Sequence, residues 1–97
     1  MRKSYEIRYA QIAAKDIRGL RRFDQSKVLD GIERHLNHQP RLESKSRIKA
    51  MRQPFWSQYR LRIDDFRVYY DVDDTSHQVH VLRVLMKTTQ TTRGESP

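Results

Sequence analysis

The sequence contains no cysteine, only three glycines and three prolines, and no long apolar run. Without cysteine, neither a disulfide framework nor a thiolate zinc site can form, so an apolar core alone must hold the fold. This composition fits a reducing cytosol, and we expect a cytoplasmic protein. The first ten residues, MRKSYEIRYA, lack the apolar stretch of a signal peptide, and no later segment reaches the length that crosses a bilayer. A membrane protein is therefore not predicted.

Positive charge is the most prominent feature that is present. Lys and Arg total 20 against 12 acidic residues, which gives a formal net charge of +8. Such a charge favours a polyanionic partner, namely nucleic acid, an acidic protein or an anionic surface, although it also serves solubility alone. The length of 97 residues suits one domain.

Apolar spacing predicts one strand and two helices in the first part of the chain. Residues 4 to 9 alternate polar and apolar side chains, as in a half-buried strand. From Ile12 to Leu20 the apolar residues recur at helical spacing, with Lys15, Arg18, Arg21 and Arg22 expected to face water. The pattern pauses over residues 23 to 26, where Asp24 or Ser26 is a candidate N-cap. A second apolar stripe then follows, formed by Val28, Leu29, Ile32 and Leu36.

Three further strands are predicted after a long connection over residues 37 to 53. Residues 55 to 63 and 66 to 72 alternate in period two around a tight turn at Asp64 and Asp65, and residues 79 to 86 are apolar on both faces. The order β-α-α-β-β-β favours an α+β fold in which two helices pack on one face of a small, mainly antiparallel four-stranded sheet. We expect a single domain over residues 1–87 and a flexible polar tail over residues 88–97.

These elements carry a recognisable pattern. The stretch Tyr59-Arg60-Leu61-Arg62, a short turn and Phe66-Arg67-Val68-Tyr69-Tyr70-Asp71-Val72 resembles the sheet signature of the RelE/ParE superfamily of bacterial toxins. Further resemblance comes from the segment Tyr9 to Leu20, Pro40, Arg47-Ile48-Lys49 and Val79-His80-Val81-Leu82-Arg83-Val84. The resemblance implies the toxin of a type II toxin-antitoxin system, neutralised in a hetero-oligomer by a cognate antitoxin. It also implies one of two targets, which are messenger RNA on the ribosome in the RelE branch and DNA gyrase in the ParE branch.

The arginines on the predicted strands 55–63 and 66–72 are the candidate catalytic residues. Arg60 and Arg62 leave the same strand face roughly 7 Å apart by strand geometry, and the tight turn brings Arg67 close to Arg62. Guanidinium groups stay charged and match phosphate oxygens, so this cluster suits a metal-independent endoribonuclease. The resemblance implies that Arg60, Arg62 and Arg67 bind and stabilise the scissile phosphate. A solvated strand face with alternating charge is the alternative interpretation.

The sequence offers fewer candidate residues for proton transfer than for phosphate binding. The resemblance implies a basic residue after the last strand, which Lys87 supplies, but Thr88 stands where an arginine is expected and no tyrosine follows Tyr70. Tyr69 is the candidate substitute, because neighbouring arginines would favour its phenolate. His80 is an alternative, although the apolar strand around it favours a buried structural histidine. His35 and His38 are expected at the surface, and neither a metal site nor a cofactor is predicted.

The connection between the second helix and the second strand is the candidate RNA-binding segment, since its basic side chains suit phosphate contacts. A floppy basic loop or an antitoxin docking site explains the same composition equally well. Nearby, Trp56 suits either stacking on a nucleobase or, more commonly, anchoring the core. The candidate RNA-binding residues are Arg41, Lys45, Arg47, Lys49 and Arg52.

Three functions remain open from the sequence. The leading one is a ribosome-dependent mRNA endonuclease, or mRNA interferase, that inhibits translation and has mRNA, the ribosome and an antitoxin as partners. A non-enzymatic inhibitor of DNA gyrase is the second. A degenerate toxin that survives as an antitoxin-binding module is the third.

Overall fold

The computed structural model describes residues 4–87, which form two helices and a five-stranded sheet. In chain order the elements are β1 (Glu6–Tyr9), α1 (Gln11–Arg18), α2 (Arg22–Leu36), β2 (Ile48–Ala50), β3 (Tyr59–Ile63), β4 (Phe66–Asp73) and β5 (Gln78–Met86). The α+β class with both helices on one sheet face is confirmed. The predicted tail over residues 88–97 lies outside the described residues.

The strand order across the sheet is β1-β5-β4-β3-β2. β3, β4 and β5 form the predicted antiparallel meander, β1 lies parallel to β5, and β2 lies antiparallel to β3. The expectation of four strands was wrong, because the connection contains β2. Three residues are too few to show alternation, and only Ile48 among them is buried.

One sheet face packs against the helices. α1 lies on β5 and α2 lies on β3. Alternate residues of the strands point into the resulting core, in agreement with the period-two pattern. The buried core consists of Ala13, Ile17, Val28, Ile32, Leu36, Ile48, Leu61, Ile63, Phe66, Val68, Tyr70, Val72, Val79, Val81 and Val84.

Three local expectations were wrong. The helical stripes are narrower than predicted, because Ile12 and Leu29 are exposed. α2 begins at Arg22 with Arg21 as N-cap, which forms no side-chain cap bond, so neither Asp24 nor Ser26 caps the helix. Polar residues suit the first turn of a helix as well as a loop, which explains the misplaced boundary.

Strand β5 has only one fully buried face, contrary to its apolar composition. His80 is half-buried, not buried, and lies opposite Arg8 of β1 and Asp71 of β4. The register with β4 shifts between Tyr69 and Tyr70, which interrupts the alternation along β5. An apolar run in this strand therefore does not indicate cover on both faces.

Candidate functional site

The β3–β4 hairpin places the candidate arginines on the sheet face that the helices leave open. Asp64 in the turn has a φ of 51°, a left-handed conformation that aspartate tolerates better than most residues. The resulting register sets Arg62 directly opposite Arg67 and Arg60 directly opposite Tyr69. The prediction that the tight turn brings Arg67 beside Arg62 is confirmed.

These side chains line an open depression of about 470 Å³, which we call the arginine depression. Lys87 reaches it because its backbone N–H donates to the Asp65 carbonyl in the hairpin turn at 2.7 Å. The end of β5 is thereby held beside the turn between β3 and β4. The lining residues are Arg60, Arg62, Arg67, Tyr69, Leu85, Met86 and Lys87.

The cations of this depression form no ion pair with a carboxylate in the described part of the chain. Within residues 4–87, the side chains of Arg60, Arg62 and Lys87 form no ion pair. The Arg67 guanidinium donates to the carbonyl oxygens of Asp64 and Phe66 at 3.1 and 3.2 Å, which fixes its position. Burial, and then the charges of Arg62 and Arg60, lower the pKa of Arg67. Clustered cations that have no acidic partner within residues 4–87 are an arrangement that suits an anion.

Among the lining residues, Tyr69 is the candidate for proton transfer. Among the described residues that line the depression, Tyr69 alone carries an ionisable O–H group, and its ring shares the depression with the cations. His80 does not line the depression. The interpretation of His80 as a catalytic proton carrier therefore has no geometric support here.

Trp56 is not a core anchor. It is 51% exposed and contacts the neighbouring Phe55 ring at 5.1 Å between centroids. The Tyr69 ring lies 4.7 Å from Trp56 and 6.2 Å from Phe55. We call these three rings the aromatic surface. Sequence reasoning did not place Phe55 here, because residues 55 to 63 were predicted as one strand, whereas β3 begins only at Tyr59.

The five basic residues of the connection do not form one surface. Lys49 lies directly opposite Arg60 in the β2–β3 pair and so extends the candidate site. Arg41 is held elsewhere, by Asp74 at 2.9 Å and by the Tyr59 hydroxyl at 3.2 Å.

The remaining three basic residues differ in their surroundings. Arg47 lines a separate depression beside α2 with His35, where burial and then the charges of Arg47 and Arg34 lower the pKa of that histidine. Lys45 and Arg52 are exposed. His35 is half-buried and His38 is exposed, so the expectation of two surface histidines holds fully only for His38.

Other classes of site have little support in the described chain. Over residues 4–87, no group of three or more His, Cys, Asp or Glu side chains could hold a metal ion. Neither of the two helices in that range is long and apolar enough to cross a membrane.

Comparison with known proteins identifies the fold and the family. Among solved structures, a chain of the RelBE2 toxin-antitoxin complex from Mycobacterium tuberculosis is 22% identical, with a TM-score of 0.70, and the match covers 87% of this chain and 99% of that one. A chain of the RelE-RelB complex from Pyrococcus horikoshii is 20% identical, with a TM-score of 0.57 and coverage of 88% and 97%. A chain of the Escherichia coli RelBE complex is 19% identical, with a TM-score of 0.51, and the match covers 87% of this chain and 96% of that one.

None of the curated proteins matches the chain. The family model for the ParE toxin of the type II toxin-antitoxin system parDE matches residues 7–90, which is most of the sequence. The chain therefore belongs to the ParE toxin family, within the RelE/ParE superfamily of type II toxin-antitoxin toxins.

Proposed function

We propose that this toxin cleaves messenger RNA bound to the ribosome. The observation that carries the proposal is the convergence of Arg60, Arg62, Arg67 and Lys87 on one open depression beside Tyr69. Guanidinium and ammonium groups without carboxylate partners suit a phosphodiester whose negative charge grows during reaction. Recognition of the fold alone does not choose a target, so the proposal depends on this arrangement.

The proposed reaction is internal transesterification. The 2′-oxygen forms a bond to the adjacent phosphorus, and the bond from phosphorus to the 5′-oxygen breaks. The proton of the 2′-hydroxyl must leave and the departing 5′-oxygen must gain one, and we assign this exchange to Tyr69, which lines the depression. Arg60, Arg62 and Arg67 would stabilise the phosphoryl oxygens, while Lys87 would neutralise the leaving oxygen. No step requires a metal.

Controlled expression in bacteria tests this proposal. Arg60→Ala/Arg67→Ala should abolish growth arrest and remove new mRNA 5′ ends inside translated codons. The matched control is Arg18→Ala/Arg22→Ala, which removes the same charge from exposed helical positions and should leave both readouts unchanged. Unchanged cleavage in Arg60→Ala/Arg67→Ala would refute the nuclease proposal.

Inhibition of DNA gyrase is the second candidate, supported by the ParE family match and by the lack of a tyrosine after Tyr70. A non-enzymatic inhibitor needs no proton-transfer group, so the lack of this tyrosine would not reduce its activity. In that case expression should arrest growth with a DNA-damage response and intact mRNA. Harmless expression would instead favour the degenerate binding module.

An antitoxin is the proposed protein partner under each of these functions. The three similar solved structures described above are toxin-antitoxin complexes. The exposed apolar side chains of Ile12, Phe23 and Leu29 on the two helices suit an added amphipathic segment.

A further inference from the structure

The aromatic surface lies beside the arginine depression, and two of its three members, Phe55 and Trp56, take no part in the proposed reaction. Tyr69 belongs to both, because its ring contacts Trp56 at 4.7 Å and also lines the depression. Phe55 and Trp56 are 38% and 51% exposed, which is high for large aromatic side chains. Their exposure is not needed for the fold, whose core is formed on the opposite sheet face.

The loop that carries Phe55 and Trp56 is held in shape by its own hydrogen bonds. The Met51 N–H donates to the Gln58 carbonyl at 2.8 Å and closes the loop. The Gln53 amide donates to the Met51 and Ser57 carbonyls, each at 3.1 Å, and so links the two sides of the loop. Ser57 is buried and its hydroxyl donates to the Tyr59 carbonyl at 3.2 Å. Ordering the loop on folding leaves less entropy to be lost when a ligand binds.

Positive charge borders the rings. Arg60 lies opposite Tyr69, and Lys49 lies opposite Arg60 in the next strand pair. A row of one aromatic and two cationic residues therefore crosses three adjacent strands. An apolar protein segment on the rings would place its backbone beside these cations, which form no ion pair within residues 4–87, whereas a nucleotide offers an aromatic base and a phosphate together. Charge complementarity thus favours a nucleotide.

We propose that Phe55, Trp56 and Tyr69 form a stacking surface for an unpaired nucleobase of single-stranded RNA whose phosphate occupies the arginine depression. The inference rests on RNA being the target of the toxin. Aromatic rings stack on any base, so the surface selects unpaired strands over duplexes without reading sequence. It would hold the substrate strand while the cations act on its backbone.

Trp56 is the only tryptophan in the chain and therefore reports directly on this surface. The experiment titrates the full-length protein with a short single strand of deoxynucleotides, which lack the attacking 2′-hydroxyl, and with an abasic strand of equal length and charge. The base-bearing strand should quench Trp56 fluorescence and bind at least about fivefold more tightly than the abasic strand.

Phe55→Ala separates stacking from phosphate binding. The substitution should weaken binding of the base-bearing strand by about 5- to 100-fold and leave the affinity for the abasic strand unchanged. Phe23→Ala, which removes a phenyl group 71% exposed on α2, is the matched control and should change neither affinity. Circular dichroism of both variants checks that the fold is retained.

The outcomes distinguish this inference from the nuclease proposal. Equal affinity for both strands without quenching, or no binding of the base-bearing strand, would overturn the stacking surface even if mRNA is cleaved on the ribosome. Quenching and base-dependent affinity would support the surface even if no cleavage is found in cells.

Discussion

At the scale of single residues, Asp16 of α1 forms three hydrogen bonds to β5. Its carboxylate accepts two hydrogen bonds from Arg83 at 2.8 and 3.0 Å and a third from the Val84 N–H at 2.9 Å. β1 pairs with β5 only as far as Val81, so Asp16 supplies an acceptor to the part of β5 beyond that point. The side chain is 15% exposed, which limits competition from water. One carboxylate thus ties α1 to β5.

Asp16→Asn should destabilise the protein by about 2 kcal/mol, because charge-assisted hydrogen bonds to a shielded carboxylate are lost. Asp30→Asn is the matched control, since the Asp30–Arg34 pair at 3.1 Å is 67% and 69% exposed and should contribute less than about 0.5 kcal/mol. Urea unfolding at pH 7 measures both changes. Equal destabilisation by the two substitutions would contradict this account of Asp16.

The stability difference between wild type and Asp16→Asn should also depend on pH. The Arg83 hydrogen bonds, together with the Val84 N–H and the charge of Arg83, lower the pKa of Asp16 despite its burial. A lowered pKa in the folded state stabilises the protein above the ordinary carboxyl pKa of about 3.9, and this contribution is lost as the pH falls through the folded value. The stability difference between wild type and Asp16→Asn should therefore be constant near neutral pH and shrink below about pH 4. A constant difference down to pH 2 would exclude this cause.

Individual side chains differ in how well the sequence predicted them. Arg60, Arg62 and Tyr69 were placed on the open face because strand alternation is local. The exposure of Trp56 was not predicted, since whether an aromatic side chain is covered depends on which segment packs over it. Asp16 and Arg83 belong to separate elements far apart in the chain, so spacing could not reveal their ion pair.

At the scale of elements, the contact between α2 and β3 depends on Gly31. A Cβ added at this position would lie 2.6 Å from Cδ1 and 3.1 Å from Cγ1 of Ile63. The glycine thus allows the helix to approach the strand that carries Arg60 and Arg62. Its cost in helix propensity is about 1 kcal/mol relative to alanine.

Gly31→Ala should destabilise the protein by about 1 kcal/mol, because the clash with Ile63 outweighs the gain in helix propensity. Ile63→Val removes the Cδ1 atom and by itself should also cost about 1 kcal/mol. The double variant should be more stable than the sum of the two single changes predicts, which thermal or urea unfolding would show. Additive effects, or stabilisation by Gly31→Ala alone, would contradict the close approach.

Helices and strands were predicted well where the local pattern ran over more than one helical turn or over several alternating strand residues. β3, β4 and the turn between them followed from period two, and this determined that Arg62 faces Arg67. β2 was missed because it has only three residues and forms by pairing with β3. The start of α2 was misplaced because its first turn is polar.

At the scale of the whole molecule, positive charge is abundant, but only part of it is positioned at the candidate site. Arg41 is paired with Asp74 and Arg83 with Asp16. The arginine depression, in contrast, gathers cations that lack acidic partners within the described part of the chain. Overall charge should therefore steer an RNA strand toward the protein, while local placement decides where it binds.

This distinction predicts a difference in salt dependence. If RNA occupies the arginine depression, Arg60→Ala/Arg67→Ala should reduce the slope of log affinity against log salt concentration for a single strand by about 1.4, since each phosphate contact contributes about 0.7. Arg18→Ala/Arg22→Ala removes the same charge and should leave the slope nearly unchanged. Anisotropy of a labelled single strand at several salt concentrations measures both. Equal slopes for the two variants would indicate that net charge alone governs binding.

The sequence by itself determined the secondary structure of the meander, the α+β class and the face on which Arg60, Arg62 and Arg67 stand, because periodicity and turn length act over neighbouring residues. Only the tertiary structure decided that β1 lies parallel to β5, that Lys49 stands beside Arg60 and that Trp56 joins Tyr69 at the surface. These features depend on free energies of packing between segments distant in the chain. Such energies cannot be assigned until the segments are brought together.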